Sequence, residues 1–379
     1  MPFDFGALRR RPDIEGQGLE ASDAADRLIL DEAAALIGEA GPGEIVVVDD
    51  AYGALALAAA DAGARGIRVH QDLVTGERAL AENAGRLGLT GEVRSLPLGA
   101  ELLAGARLVL MRLPRSLDRL DEVSQLISTH ADPGVAVVAG GRIKHMSLTM
   151  NEVLGRGFGR LDVSRARQKS RVLLAREPLD ETRSPAASGP SWPRSSRHDD
   201  LGLTVVAHGG VFAGTGVDIG TRFLLAQLND AVPDAATAVD LACGTGVVAS
   251  WLARARPELV VRATDRSASA AASARLTAEA NGVAGRVLVT RADGLEAFAD
   301  ASERLIVLNP PFHSDAAISA GIAAHLFADA ARVLAPSGEL WCVWNSHLAY
   351  RPLLERVVGR TRQIARNPKF TVTASRRAA

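Results

Sequence analysis

Residues 238–253 read AVDLACGTGVVASWLA. A short apolar segment carrying one acid runs through two glycines into a second apolar, alanine-rich run. That order is what a parallel strand needs to turn tightly into a helix on the sheet's face. Outward from it, VVRATD (260–265) reads as the next strand, and Ser267 to Asn281 as a helix closing at Gly282. RVLVTRAD (286–293) and RLIVL (304–308) are further strands. A helix is expected from about Ala316 to Leu334, stopping at Pro336-Ser337-Gly338, with ELWCVWN (339–345) as a strand after it. Following a helix from Arg351 to Val358, RQIARNPKFTVTAS (362–375) reads as an antiparallel hairpin that turns at Asn367-Pro368.

The first half of the chain repeats this plan. EIVVVDDAYGALALAAA (44–60) matches the opening stretch, and IRVHQD (67–72) matches VVRATD. RLVLMRLPRSL (107–117) matches RLIVLNPPFHS (304–314), VAVVAGG (135–141) matches ELWCVWN, and ARQKSRVLLA (166–175) matches ARNPKFTVTA (365–374). Five correspondences in one order imply an internal duplication. Between the copies, PLDETRSPAASGPSWPRSSRHDD is rich in proline, serine and charge and reads as a linker. The expected organisation is therefore 1–177 as one α/β domain, 178–200 as linker and 201–379 as a second domain, both doubly wound.

Bulk properties agree with two soluble domains. The 379 residues are more than one ordinary core requires. Hydrophobic residues make up 47% and charged residues 23%, and no run approaches twenty uncharged apolar residues, so no membrane span is expected. MPFDFGALRRRPDIEG lacks the apolar core of a signal peptide. Two cysteines, Cys243 and Cys342, in apolar surroundings read as buried thiols in a reducing cytoplasm, and with so few cysteines and scattered histidines no metal site is expected. A net charge of −1 argues against a protein that coats nucleic acid through bulk charge. It leaves room for local basic runs, of which there are two: Arg165, Arg167, Lys169 and Arg171, and Arg360, Arg362, Arg366 and Lys369. Solvated strand edges explain such runs as readily as an RNA contact does.

The copies differ in chemistry. In the second, Asp240 leads through Ala242, Gly244, Thr245 and Gly246 into the helix, where bare backbone and helix N-terminal amides can meet a ligand. Asp265 closes the next strand about twenty residues on, placed to grip ribose hydroxyls. This suits a dinucleotide or S-adenosylmethionine; Val247-Val248-Ala249 in place of a third glycine disfavours the former. Asp293, before Gly294, could accept from an adenine amine or simply cap a helix. The first copy keeps Gly53, but Leu55 is expected at the position of Gly246, where a branched side chain would block a cofactor. Arg112-Leu113-Pro114 stands where the second copy has Asn309-Pro310-Pro311.

Asn309-Pro310-Pro311-Phe312 follows a strand with an amide, a rigid turn and an aromatic ring. Such a set suits a flat ring bearing an amine. With these residues the second half resembles class I S-adenosylmethionine-dependent methyltransferases. The whole chain is similar to ribosomal RNA guanine-N2 methyltransferases, in which a degenerate N-terminal methyltransferase fold precedes an active one. VFAGTGVDIGTRFLL (211–225), VDLACGTG (239–246), Asp265, Asp293, LNPPFH (308–313) and NSHLAY (345–350) carry the resemblance. DDAYGAL (49–55), LPRSL (113–117) and NPKF (367–370) look most like the branch acting on the large subunit.

The resemblance implies two tandem Rossmann-like domains, each a mainly parallel seven-stranded sheet with an antiparallel C-terminal hairpin. It implies S-adenosylmethionine as cofactor, with Asp240 to Gly246 at its methionine end, Asp265 and the adjoining Arg266 at its ribose, and Asp293 and Gly294 at its adenine. Asp218 and Thr221 lie in the segment that closes over it, although Asp218 also suits a helix N-cap. The Asn309 side-chain carbonyl and the Pro310 backbone carbonyl would accept from the amine, Pro311 would stiffen the turn, and Phe312 would stack on the base. Ribosomal RNA is the implied partner of a cytoplasmic monomer, with the two basic runs on its phosphates. Ala242 departs from the family's usual glycine, and Ser346 from a basic residue. A 16S-directed enzyme, a protein-glutamine methyltransferase using the same motif, and a non-catalytic RNA-binding assembly factor are the alternatives.

Overall fold

The computed structural model describes residues 3–16, 18–179, 191–311 and 316–377, with the side chains of 316–320 outside that description. The chain divides into two compact units, Met1–Trp192 and Pro193–Ala379.

The first unit has seven strands: β1 (Ile45–Val48), β2 (Ile67–His70), β3 (Val93–Ser95), β4 (Leu108–Arg112), β5 (Ala136–Arg142), β6 (Phe158–Val163) and β7 (Ser170–Pro178). They form one sheet in the order β3-β2-β1-β4-β5-β7-β6. The first five pair in parallel, while β7 enters antiparallel beside β5 and carries β6 as a hairpin. Six helices intervene: α1 (Ala24–Glu39), α2 (Ala54–Asp61), α3 (Val74–Leu87), α4 (Ala100–Leu103), α5 (Leu117–His130) and α6 (Leu148–Gly157). All four residues of β1 are buried, as expected of a central parallel strand covered on both faces. Val47 and Ile45 face a core with α1 and α2, whereas Val46 and Val48 face one with α5 and α6.

The second unit repeats the topology. Its strands β10 (Thr237–Leu241), β11 (Val260–Asp265), β12 (Val287–Arg291), β13 (Glu303–Leu308), β14 (Leu334–Asn345), β15 (Thr361–Arg366) and β16 (Phe370–Arg376) follow the hairpin of β8 (Arg194–His198) and β9 (Leu203–Ala207). The order is β12-β11-β10-β13-β14-β16-β15, position for position that of the first sheet. Five helices accompany it: α7 (Ile219–Leu225), α8 (Val247–Ala255), α9 (Ala268–Ala280), α10 (Ala316–Val333) and α11 (Arg351–Val357). The Asn367 side chain closes the β15–β16 turn by accepting from the amides of Lys369 and Phe370. Both cysteines are buried, and burial pushes both thiols up. Among the described residues no helix is long and apolar enough to cross a membrane.

Three expectations change. The stretch expected as linker, 178–200, overlaps β8, which pairs along its length with β9. Arg194-Ser-Ser-Arg-His198 offers no apolar pattern, so its strand character comes from backbone pairing with the alternating Leu203–Ala207. Residues 180–190 lie outside the described residues. Second, β14 begins at Leu334 rather than at Glu339, because Pro336 to Gly338 loop out as a bulge between the Glu303–Leu334 and Leu305–Glu339 pairs. Third, Leu55 does not occupy the position of Gly246. Val48 and Leu241 end equivalent strands, each is followed by five turn residues, and the helices start at Ala54 and Val247. Gly53 is therefore the counterpart of Gly246, both at the helix N-cap with positive φ.

Candidate active site

The parallel register brings the C-terminal ends of β10, β11 and β13 side by side, with Leu241 between Thr264 and Leu308. The glycine turn, Asp265 and Asn309 hang from these three ends, whereas Asp293 and Gly294 follow β12, and Asp218 and Thr221 come from the start of α7.

Beyond β10, residues 242–246 form the turn. Ala242, Gly244 and Gly246 all have positive φ, at 56°, 54° and 71°. For alanine this left-handed conformation costs roughly 1–2 kcal/mol. Gly246 is required twice over: besides its φ, a Cβ there would lie 2.8 Å from the Cβ of Ala274 on α9. Gly244 is different, since a Cβ on it would meet nothing within 4 Å. Its bare backbone faces open space, the cradle that a bulky ligand against this turn would use. Thr245 is buried.

Two carboxylates hold the turn. Asp240, 3% exposed, accepts at 2.9 Å from the amide of Ala249 in the first turn of α8. Burial, aided by the charge of Asp265 and opposed by the Ala249 bond, pushes its carboxyl up to about 7. Asp265 accepts from the Gly244 amide through one oxygen and from the Ser267 amide through the other, both at 2.9 Å. These two bonds fix the carboxylate at the C-terminal end of β11. Arg266 follows it, partly buried.

Asn309 leaves β13 directly beside this turn. Its Nδ2 donates to Thr221 Oγ1 at 3.0 Å, and the Thr221 amide donates to Asp218 at 3.1 Å. Asp218 is thus the N-cap of α7, and Thr221 the third residue of that helix. The pair orients the Asn309 amide: its nitrogen is held by Thr221, and no hydrogen bond among the described residues engages its Oδ1. Pro310 is buried and Pro311 exposed, a rigid pair that fixes where the backbone carbonyls point. Phe312 lies outside the described residues.

Asp293 is not a helix N-cap. It sits in a turn, where its amide donates to Glu296 at 3.1 Å and its carboxylate lies 3.7 Å from His325 Nε2. Asp329 accepts from the Leu295 amide at 2.7 Å, and a side chain on Gly294 would run into it. His325 and Asp329 went unnoticed in the sequence, since α10 places them beside Gly294 only in the folded chain. Phe212 and Ile219 were missed too: they flank the Asp218 segment as large apolar side chains 48% and 60% exposed.

The basic runs are partly committed. Arg362 makes two hydrogen bonds to Glu339, and Arg167 pairs with Asp31. Arg165, Lys169, Arg360, Arg366 and Lys369 are exposed and Arg171 is half-buried.

The same constellation in the first unit is rebuilt. Asp23 caps α1 as Asp218 caps α7, and Asp26, its third residue, takes the place of Thr221. Arg112 stands at the position of Asn309 and is ion-paired with both Asp23 and Asp26. Gln71 replaces Asp265 and donates to the carbonyls of Asp50 and Ala51, whereas Asp265 accepts an amide. Tyr52 in the turn is covered by the N-terminal segment, with its hydroxyl 2.6 Å from Asp13 and its ring under Arg10.

Comparison with known proteins decides the family. Residues 2–179 match the RLMG N-terminal domain and residues 202–374 the Methyltransferase small domain. The chain is 36% identical to ribosomal RNA large subunit methyltransferase G of Pseudomonas paraeruginosa, over 98% of this chain and 97% of the relative. The chain belongs to the ribosomal RNA large subunit methyltransferase G family. Another member, from Streptomyces coelicolor, is 35% identical over 98% of both chains. A T. thermophilus 16S rRNA N2 methyltransferase, solved with AdoMet and guanosine, superposes with a TM-score of 0.72 at 22% identity, covering 96% of this chain and 97% of its own. That likeness shows the tandem methyltransferase fold in both halves.

Proposed function

We propose that this methyltransferase transfers a methyl group from S-adenosylmethionine to the exocyclic N2 amine of a guanine in large-subunit ribosomal RNA. The observation that carries the reading is the Asn309–Thr221 hydrogen bond, which turns one amide oxygen outward beside a glycine turn with an open face.

The residues present fit the cofactor. The uncovered backbone of Gly244 can lie against it, Asp265 can accept from its ribose, and Asp293 can accept from its adenine amine, with Asp218 at the rim. S-adenosylmethionine supplies a methyl group on a positively charged sulfur, an electrophile for an amine lone pair. What the chain contributes is orientation of the nucleophile. The N2 amine of guanine is poorly nucleophilic because its lone pair is shared with the ring. Asn309 Oδ1 and the Pro310 carbonyl each accept one N–H, which favours a pyramidal nitrogen with its lone pair directed at the donor. Positioning of this kind needs no strong base on the protein; the amine proton leaves to solvent as the carbon–nitrogen bond forms.

Phe312 stacks on the base in this reading. The units divide the labour: the first recognises RNA and the second catalyses, in a cytoplasmic monomer. The names of the relatives support large-subunit RNA over the 16S alternative. Incubation with radiolabelled S-adenosylmethionine and protein-free ribosomal RNA tests the reading. Label should enter large-subunit RNA as N2-methylguanosine; label in protein instead would favour the glutamine alternative and refute this one.

A further inference from the structure

We propose that the first domain uses the counterpart of the Asn309 pocket as a phosphate site, holding a backbone phosphate of the substrate RNA. The inference rests on the RNA reading above. At the C-terminal ends of β4 and β5 lies a cavity of about 220 Å³. By register, Arg112 at its edge is the counterpart of Asn309, and Arg142 of Asn345. Its charged lining comprises Asp23, Arg112, Arg115, Arg142, Lys144 and His145.

Arg112 is already matched by Asp23 and Asp26. Among the described residues no carboxylate pairs with Arg115, Arg142 or Lys144, so three cations remain around a concavity in a protein whose net charge is −1. Arg115 Nη2 lies 3.2 Å from His145 Nε2. A guanidinium only donates, so Nε2 accepts and the ring holds Arg115 in place. Arg142 is half-buried, and its Nε is a buried donor without a hydrogen-bond partner. Leaving such a donor unpaired is unfavourable unless an arriving acceptor satisfies it. Guanidinium forks match the two free oxygens of a phosphodiester, and Lys144 adds a point charge.

Two features point to a nucleic acid rather than to a free anion. Ile143 and Leu148, 38% and 81% exposed, flank the basic segment 144–146 and offer apolar surface to a sugar or base. Ile143 N also bonds to Lys169 O at 2.9 Å, so the turn bearing Arg165 and Lys169 adjoins the cleft and extends the positive track. In the first copy the amide–hydroxyl pair has become an internal ion pair, Arg112 with Asp26, and the cations beside it, Arg115, Arg142 and Lys144, suit an anion.

The test uses the full-length protein and protein-free large-subunit ribosomal RNA. Arg115 and Lys144 are exposed, so the double variant Arg115→Ala/Lys144→Ala should fold. Its affinity should fall on the order of tenfold at moderate salt, and the slope of log K against log salt should shrink by roughly 0.7 per lost contact. Calorimetric binding of S-adenosylmethionine should be unchanged. Arg142→Gln should weaken RNA binding likewise, whereas Arg94→Ala, a surface cation on edge strand β3, should not. Wild-type methylation of the RNA with unchanged affinity and slope in both cleft variants overturns the phosphate site and leaves the enzyme's function standing. Variants that keep RNA affinity but lose binding to polyglutamate would assign the cleft to an acidic peptide, also overturning it. No transfer to RNA by the wild type would refute the substrate reading itself.

Discussion

Asn309 is held from one side, by Thr221 on a helix that Asp218 caps, and the chemistry assigned to it depends on that single hydrogen bond. Asn309→Ala should lower kcat by about 100-fold or more, the size of effect seen when one preorganised polar group is removed from a transition state. Calorimetric affinity for S-adenosylmethionine should stay within about twofold; a variant with normal turnover would remove Asn309 from the mechanism. Thr221→Val keeps the volume and deletes the hydroxyl, so it should reduce kcat while leaving the KM for RNA near that of the wild type. Gly246→Ala should abolish cofactor binding, because a Cβ at positive φ would press on Ala274. At this scale the sequence was informative about residue types and poor about partners. NPPF and the glycine turn stand out in one dimension, but the Thr221–Asn309 bond joins residues 88 apart. His325 and Asp329 sit on a helix with no motif to mark them.

The strand–turn–helix units owe their rigidity to buried carboxylates at both helix starts. Asp50 accepts from the amides of Leu55 and Ala56, much as Asp240 accepts from Ala249. Burial pushes the first up to about 6 and the second up to about 7, from an ordinary value near 3.8. In an acid raised this way the folded state binds more protons than the unfolded state between pH 4 and 7. Stability should therefore decline as pH rises through that window and level off above it. Asp240→Asn and Asp50→Asn should each flatten the decline in denaturant titrations at successive pH values. A decline unchanged in both variants would dissociate it from these groups. Element order and type were readable from alternation and turn residues. The Gly53 correspondence was misread because acids were matched with acids: Asp49 lies in the turn after β1, whereas Asp240 lies on β10 itself. Strand β8 was unreadable for the opposite reason, having only polar side chains over a paired backbone.

As a whole molecule, the chain is one architecture used twice, with the second copy keeping an open glycine turn and the first closing it under its own N-terminal segment. Duplication was legible because five segments recur in one order, and the folded chain extends the match to all seven strands of each sheet. What the first copy gained was not, since Arg115 follows β4, Arg142 ends β5 and Lys144 lies just beyond it, and they meet only through the parallel register of β4 and β5. If the first domain serves RNA and the second the cofactor, raising salt should weaken RNA binding steeply while S-adenosylmethionine affinity changes little. The central claim is tested most directly by mapping N2-methylguanosine in large-subunit ribosomal RNA from a strain lacking the gene. The account predicts that one modification disappears, returns with the wild-type chain and does not return with Asn309→Ala. An unchanged modification map in the deletion strain, or full restoration by Asn309→Ala, would contradict it.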